Sequence, residues 1–83
     1  MPYERLRLAR QRTVGVKQTV KAVQKGITKI VFVASDADPR VTRDIVKECQ
    51  DKGVPVETVE SMQLLGRACG IAVGAAAAAI TQE

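Results

Sequence analysis

Three lysines, Lys17, Lys21 and Lys25, recur every fourth residue in and just after the segment Gly15-Val16-Lys17-Gln18-Thr19-Val20-Lys21-Ala22-Val23. That spacing stacks their charges along one face of a helix, while Val16, Val20 and Val23 fall on another side that is predicted to be buried. Gly15 stands just before the first turn. With no side chain there, a phosphate or a base can approach the unpaired N–H groups at the positive end of the helix dipole. The chemistry on offer is binding of a polyanion. Periodicity alone also fits the solvated face of an ordinary amphipathic helix, which is what most such stripes are.

Bond-making chemistry has little to work with. There is no His, and the remaining carboxylates and lysines have no neighbour in sequence that would tune them for acid–base work. Asp36 and Asp38 form an Asp-x-Asp pair that could be taken for a metal or catalytic site. Asp38-Pro39 has a sufficient role as a helix N-cap followed by the first helical residue, and a hard cation wants more oxygen ligands than this loop offers. Cys49 and Cys69 are far apart, lack the C-x-x-C spacing, and read as buried small apolar residues. Gly66, Gly70 and Gly74 recur every fourth residue but do not lead from a strand into a Gly-Lys-Ser/Thr helix, so they are no phosphate loop. They mark a tight loop, Cys69-Gly70-Ile71-Ala72-Val73-Gly74, in which Ile71 and Val73 are either core or an exposed wedge; residue statistics favour core. No metal, cofactor or enzymatic activity is expected.

These residues must be positioned by short alternating elements. Tyr3, Leu6 and Ala9 share a face of a helix reaching about Arg10, followed by an extended stretch from Arg12 to Val14. The lysine helix runs to Lys25, with Gly26 at the place of a left-handed cap. Lys29 to Ala34 is a β-branched apolar run and reads as a buried central strand. A third helix runs from Pro39 to about Lys52 and is closed by Gly53. Val54 to Val59 is strand-like, Ser61 caps a short helix through Arg67, and the chain returns as an apolar strand from Gly74 onward. Helices alternating with strands imply an α/β fold, a three-layer α/β/α sandwich around one mixed sheet, with strand order left open.

The 83 residues suffice for one small domain spanning 1–83. With no Trp, one Tyr and one Phe, aliphatic and alanine packing must form the core, and recognition by aromatic base stacking is disfavoured. The net charge of +4 hides an asymmetry: residues 1–29 hold eight Lys or Arg against one Glu, whereas residues 30–83 hold five against eight Asp or Glu. A strongly basic first third suits nucleic acid better than membrane. Met1-Pro2-Tyr3-Glu4 carries no apolar leader, and the run Ile71 to Ile80 is about half a membrane span, so a cytoplasmic protein is expected.

Three stretches carry a more specific signal: Gly15 to Val23, Ala34-Ser35-Asp36-Ala37-Asp38-Pro39, and Leu65-Gly66-Arg67-Ala68-Cys69-Gly70-Ile71-Ala72-Val73-Gly74-Ala75-Ala76. In this order they resemble the kink-turn-binding ribosomal protein L7Ae family, over essentially the whole chain. The resemblance implies an α/β/α sandwich that grips a kinked RNA at tandem sheared G·A pairs, with the second helix at the base edges and the late loop at the bulge. The family's helix motif is Gly, any, Asn, Glu, any, any, Lys. Gly15 and Lys21 match it, while Lys17 and Gln18 stand in for Asn and Glu. Lys17 can donate to guanine O6 or N7 and the Gln18 carbonyl can accept from guanine N1 or N2, a weaker acceptor than a carboxylate. Ile71 and Val73 match the family's apolar loop residues, Ala72 replaces an acidic residue often found between them, and Arg67 is expected to add a phosphate contact. The implied protein is a monomeric, non-catalytic binder of structured RNA, in the ribosome or another ribonucleoprotein. The rival reading is a structural ribonucleoprotein component whose RNA binding is weak and nonspecific.

Overall fold

The computed structural model describes residues 2–83. Eight elements follow in the order α1 (Pro2–Leu8), β1 (Gln11–Val14), α2 (Val16–Gln24), β2 (Ile30–Ala34), α3 (Pro39–Lys52), β3 (Val56–Val59), α4 (Met62–Ala68) and β4 (Ala77–Gln82). The strands form one mixed sheet in the order β1-β4-β2-β3. The last strand is thus inserted between the first two, antiparallel to both, while β2 and β3 run parallel.

Alternation along the two central strands sorts the core into two halves. Ile30, Phe32, Ala34, Ala78 and Ile80 pack with Leu6 of α1 and Leu65 and Ala68 of α4. Val31, Val33, Ala77 and Ala79 pack on the other face with Val23 of α2 and Ile45 and Cys49 of α3. Helices on both faces of the sheet give the three-layer α/β/α sandwich. Ala77, Ala78 and Ala79 are fully buried, and their small side chains let helix backbones approach the central strand closely.

Local chemistry sets most boundaries. The Asp38 carboxylate accepts from the Arg40 N–H at 2.9 Å with Pro39 as first helical residue, and Ser61 Oγ accepts from the Leu64 N–H at 3.0 Å. Gly26 and Gly53 take the left-handed conformation, with φ of 73° and 70°, at the ends of α2 and α3. Two strands start at least two residues later than expected. The strand predicted from Val54 begins at Val56, because the Val54 N–H closes the α3 cap on the Cys49 carbonyl and Pro55 has no N–H to give. The strand predicted from Gly74 begins at Ala77, since the Ala75 N–H is taken by the Met62 carbonyl of α4. The first helix stops at Leu8 rather than Arg10, ahead of a register shift between Gln11 and Arg12 that starts β1.

Candidate nucleic-acid interface

The start of α2 is shaped by its fixed neighbours. Gly15 has φ 93° and ψ 156°, a backbone conformation that suits glycine, and its N–H donates to the Ala77 carbonyl at 2.8 Å. Among the described residues, no side chain caps the first turn, and nothing lies within 4 Å of where a Gly15 Cβ would stand. The first-turn N–H groups are therefore left without a side-chain acceptor. The buried side of α2 is formed by Thr19, Ala22 and Val23, whereas Val16 and Val20, predicted to be buried, are only half-buried at the edge of the core. Sequence pattern misplaced the centre of that face because Thr19 is polar. Its hydroxyl is satisfied by Thr13 of β1, with the two Oγ1 atoms 2.9 Å apart, a pairing that pins the helix to the edge strand. Lys17, Gln18, Lys21 and Lys25 are consequently all exposed. Among the described residues, none of the three lysines makes an ion pair.

The loop after α4 doubles back along that helix. Gly70, at φ 78°, turns the chain, the Ile71 N–H donates to the Gly66 carbonyl at 3.1 Å, and the Ala75 N–H donates to the Met62 carbonyl at 3.0 Å. Gly66 has a steric reason: a Cβ there would stand 2.0 Å from the Val73 carbonyl oxygen. The fourfold glycine spacing thus serves the close approach of a loop to a helix. Pinned in this way, the loop carries its apolar side chains outward. Val73 is 70% exposed and Ile71 37%, so of the two alternatives it is the exposed wedge, and not the core that residue statistics favour, that the loop forms. Ala72 between them is exposed as well.

These two regions stand at one end of the sheet, because Gly15 is bonded to Ala77 and the late loop leads directly into that residue. Arg12 of β1, the strand that leads into α2, donates from Nη2 to the Cys69 carbonyl at the head of the late loop at 3.1 Å. Nothing local in the sequence singles out Arg12 beyond its being a cation within an edge strand, because its partner is 57 positions away. Arg67 is exposed on α4 and lines a cleft with Tyr3, Glu4 and Arg7 of α1 and with Leu64 and Ala68.

Asp36 and Asp38 have structural partners. Asp36 Oδ1 accepts from the Met62 N–H at 2.8 Å, tying the β2–α3 turn to the start of α4, and Arg40 holds the Asp38 carboxyl below its ordinary range. Cys49 and Cys69 are buried free thiols, both pushed up by desolvation, with Arg12 partly offsetting this at Cys69. Among the described residues no helix is long and apolar enough to cross a membrane.

Known proteins are similar to this chain in sequence and in fold. The chain is 49% identical over 80 residues to an RNA-binding protein of Bacillus pumilus, an alignment covering 96% of this chain and 98% of that one. It is 42% identical, with the same coverage of each chain, to the RNA-binding protein YbxF of Geobacillus stearothermophilus. Among solved structures, a 15.5kD RNA binding protein of Giardia lamblia superposes with a TM-score of 0.86 at 30% identity, covering 98% of this chain and 68% of the other. A Bacillus halodurans protein of unknown function superposes at 0.83 and 31% identity, covering 96% and 80%. Residues 3–83 match the family model for ribosomal proteins of the L7Ae/L30e/S12e/Gadd45 type, and the chain belongs to that family.

Proposed function

We propose that this protein binds structured RNA without catalysis and stabilises a kink-turn, using the start of α2 at the G·A stem and the late loop at the bulge. The observation that carries the reading is the pairing of an uncapped, lysine-bearing helix start with an outward-facing apolar loop at one end of the sheet. The names of the relatives support RNA as the partner. Lys17 and Lys21 supply cations for phosphates and guanine edges, the Gln18 carbonyl accepts from a base, and Ile71, Ala72 and Val73 cover unstacked nucleotides, with Arg67 as a further phosphate contact. Sharp bending crowds phosphates, so a protein that favours the bent form shifts the RNA population by its differential affinity for that form.

Energy transfer between dyes on the two arms of a kink-turn RNA tests this. In magnesium-free buffer, saturating protein should convert the low-transfer, straight population to a high-transfer, bent one. Saturation without any change in transfer would reduce the protein to an RNA binder indifferent to the kink, as expected of a ribonucleoprotein component with nonspecific contacts. A cytoplasmic monomer is part of the same proposal.

A further inference from the structure

The cleft between α1 and α4 has no part in the proposed kink-turn contacts, Arg67 on its rim excepted, yet its chemistry suits a nucleotide. It has a volume of about 220 Å³ and is lined by Tyr3, Glu4, Arg7, Leu64, Arg67 and Ala68. That is below the range of drug-sized pockets and suits one small planar group. Tyr3, Leu64 and Ala68 give it an apolar floor, and Arg7 and Arg67 bring guanidinium groups to it. Among the described residues, Arg67 makes neither an ion pair nor a side-chain hydrogen bond, and Arg7 is held only by Glu4, 2.8 Å away, in an exposed pair that a phosphate can outcompete. The Tyr3 hydroxyl oxygen accepts from the Glu60 N–H at 3.2 Å, which leaves its own proton free to donate.

Position links this cleft to the late loop. Gly66 faces Val73 on one flank of α4, while Leu64 and Ala68 face the cleft on the other. At helical spacing, exposed Gln63 and Arg67 fall on the ridge between them. A helix is about 10 Å across, so one or two nucleotides of extended chain cross that ridge.

We infer that the α1–α4 cleft receives an unpaired nucleotide of the bound RNA, its base on the Tyr3–Leu64–Ala68 floor and its phosphate between Arg67 and Arg7. This rests on the reading of the late loop as RNA-covering. The RNA would then be held at three places: the α2 start, the loop and this cleft.

The test compares a minimal kink-turn with versions carrying a five-uridine tail on each strand end in turn, against the unaltered protein and Arg7→Gln. One tail position should raise affinity about tenfold, the scale of one stacked and phosphate-paired nucleotide. Arg7→Gln should erase that gain while binding the minimal RNA as the unaltered protein does. Arg7 is exposed on a surface helix, so the variant should fold, and circular dichroism verifies it. No gain from any tail, or a gain that survives Arg7→Gln, overturns the proposal, as does adenosine monophosphate binding the cleft while every tail adds nothing. Failure of the minimal RNA itself to bind would instead strike the kink-turn reading, and the two failures are separable.

Discussion

The start of α2 and the loop after α4 stand side by side, yet one is charged and the other apolar, and they are held in place differently. The helix start is positioned by its regular hydrogen bonds, by the Gly15–Ala77 bond and by the Thr13–Thr19 hydroxyl pair. It presents long, mobile lysines on a fixed rod. The loop has no regular structure to fix it, so it borrows rigidity from α4 through two backbone bonds and the absence of a Cβ at Gly66. It presents short, branched side chains on a fixed loop. Mobile charges suit phosphates, whose positions vary, whereas stiff aliphatics suit the flat face of an unstacked base, where shape decides.

The largest expected effect breaks the loop half of this contrast. Gly66→Ala places a methyl group against the Val73 carbonyl, so the loop must move off the helix, and stability should fall by about 3 kcal/mol as in other overpacked sites; denaturant unfolding measures it. An unfolding midpoint close to that of the unaltered protein would mean that the loop yields easily and is not held rigid. Next, Lys21→Ala should weaken kink-turn binding by about 1–3 kcal/mol and lower the slope of log affinity against log salt by about 1, with stability unchanged. Unaltered affinity would remove the helix from the interface. Val73→Ser should cost about 1 kcal/mol in RNA affinity but, at 70% exposure, less than about 0.5 kcal/mol in stability. Its salt slope should match that of the unaltered protein, which separates the apolar half from the charged one.

The smallest effect is expected at Asp38, which has no part in the proposed RNA contacts. The Asp38 carboxyl is held low by its hydrogen bonds to Arg40, so its contribution to stability is complete above the ordinary carboxylate range, near pH 4, and is lost as pH falls through the lowered value. Asp38→Asn should remove that part of the acid limb in a melting-temperature series. RNA affinity at neutral pH should not change.

Much of the scaffold was legible because its signals are local. Asp38-Pro39 and Gly53 bracket α3, Ser61 opens α4, Gly26 closes α2, and the apolar run of β2 announces a buried strand. The lysine stripe was legible for the same reason. What escaped was set by distant partners. Thr19 is core only because Thr13 satisfies it, and Val16 and Val20 are correspondingly less buried than their spacing suggested. Ile71 and Val73 carry core side chains in an exposed loop because α4 holds the backbone beneath them, a relation that residue statistics cannot contain. Strand order was equally hidden, since nothing local says that β4 enters between β1 and β2. The resemblance of the three motif stretches had already pointed to the loop as an exposed wedge, against the statistics.

The central claim is that charge and shape act together on a bent RNA, and the most direct measurement is a paired titration. A labelled kink-turn RNA is compared with a twin whose tandem G·A pairs are replaced by Watson–Crick pairs, at two salt concentrations. Tight binding to the first with far weaker binding to the second, at both salts, is the predicted result, and it would hold despite Lys17 and Gln18 standing where the family has Asn and Glu. Equal affinity for both RNAs, falling together as salt rises, would contradict it and leave the basic face as a general phosphate surface.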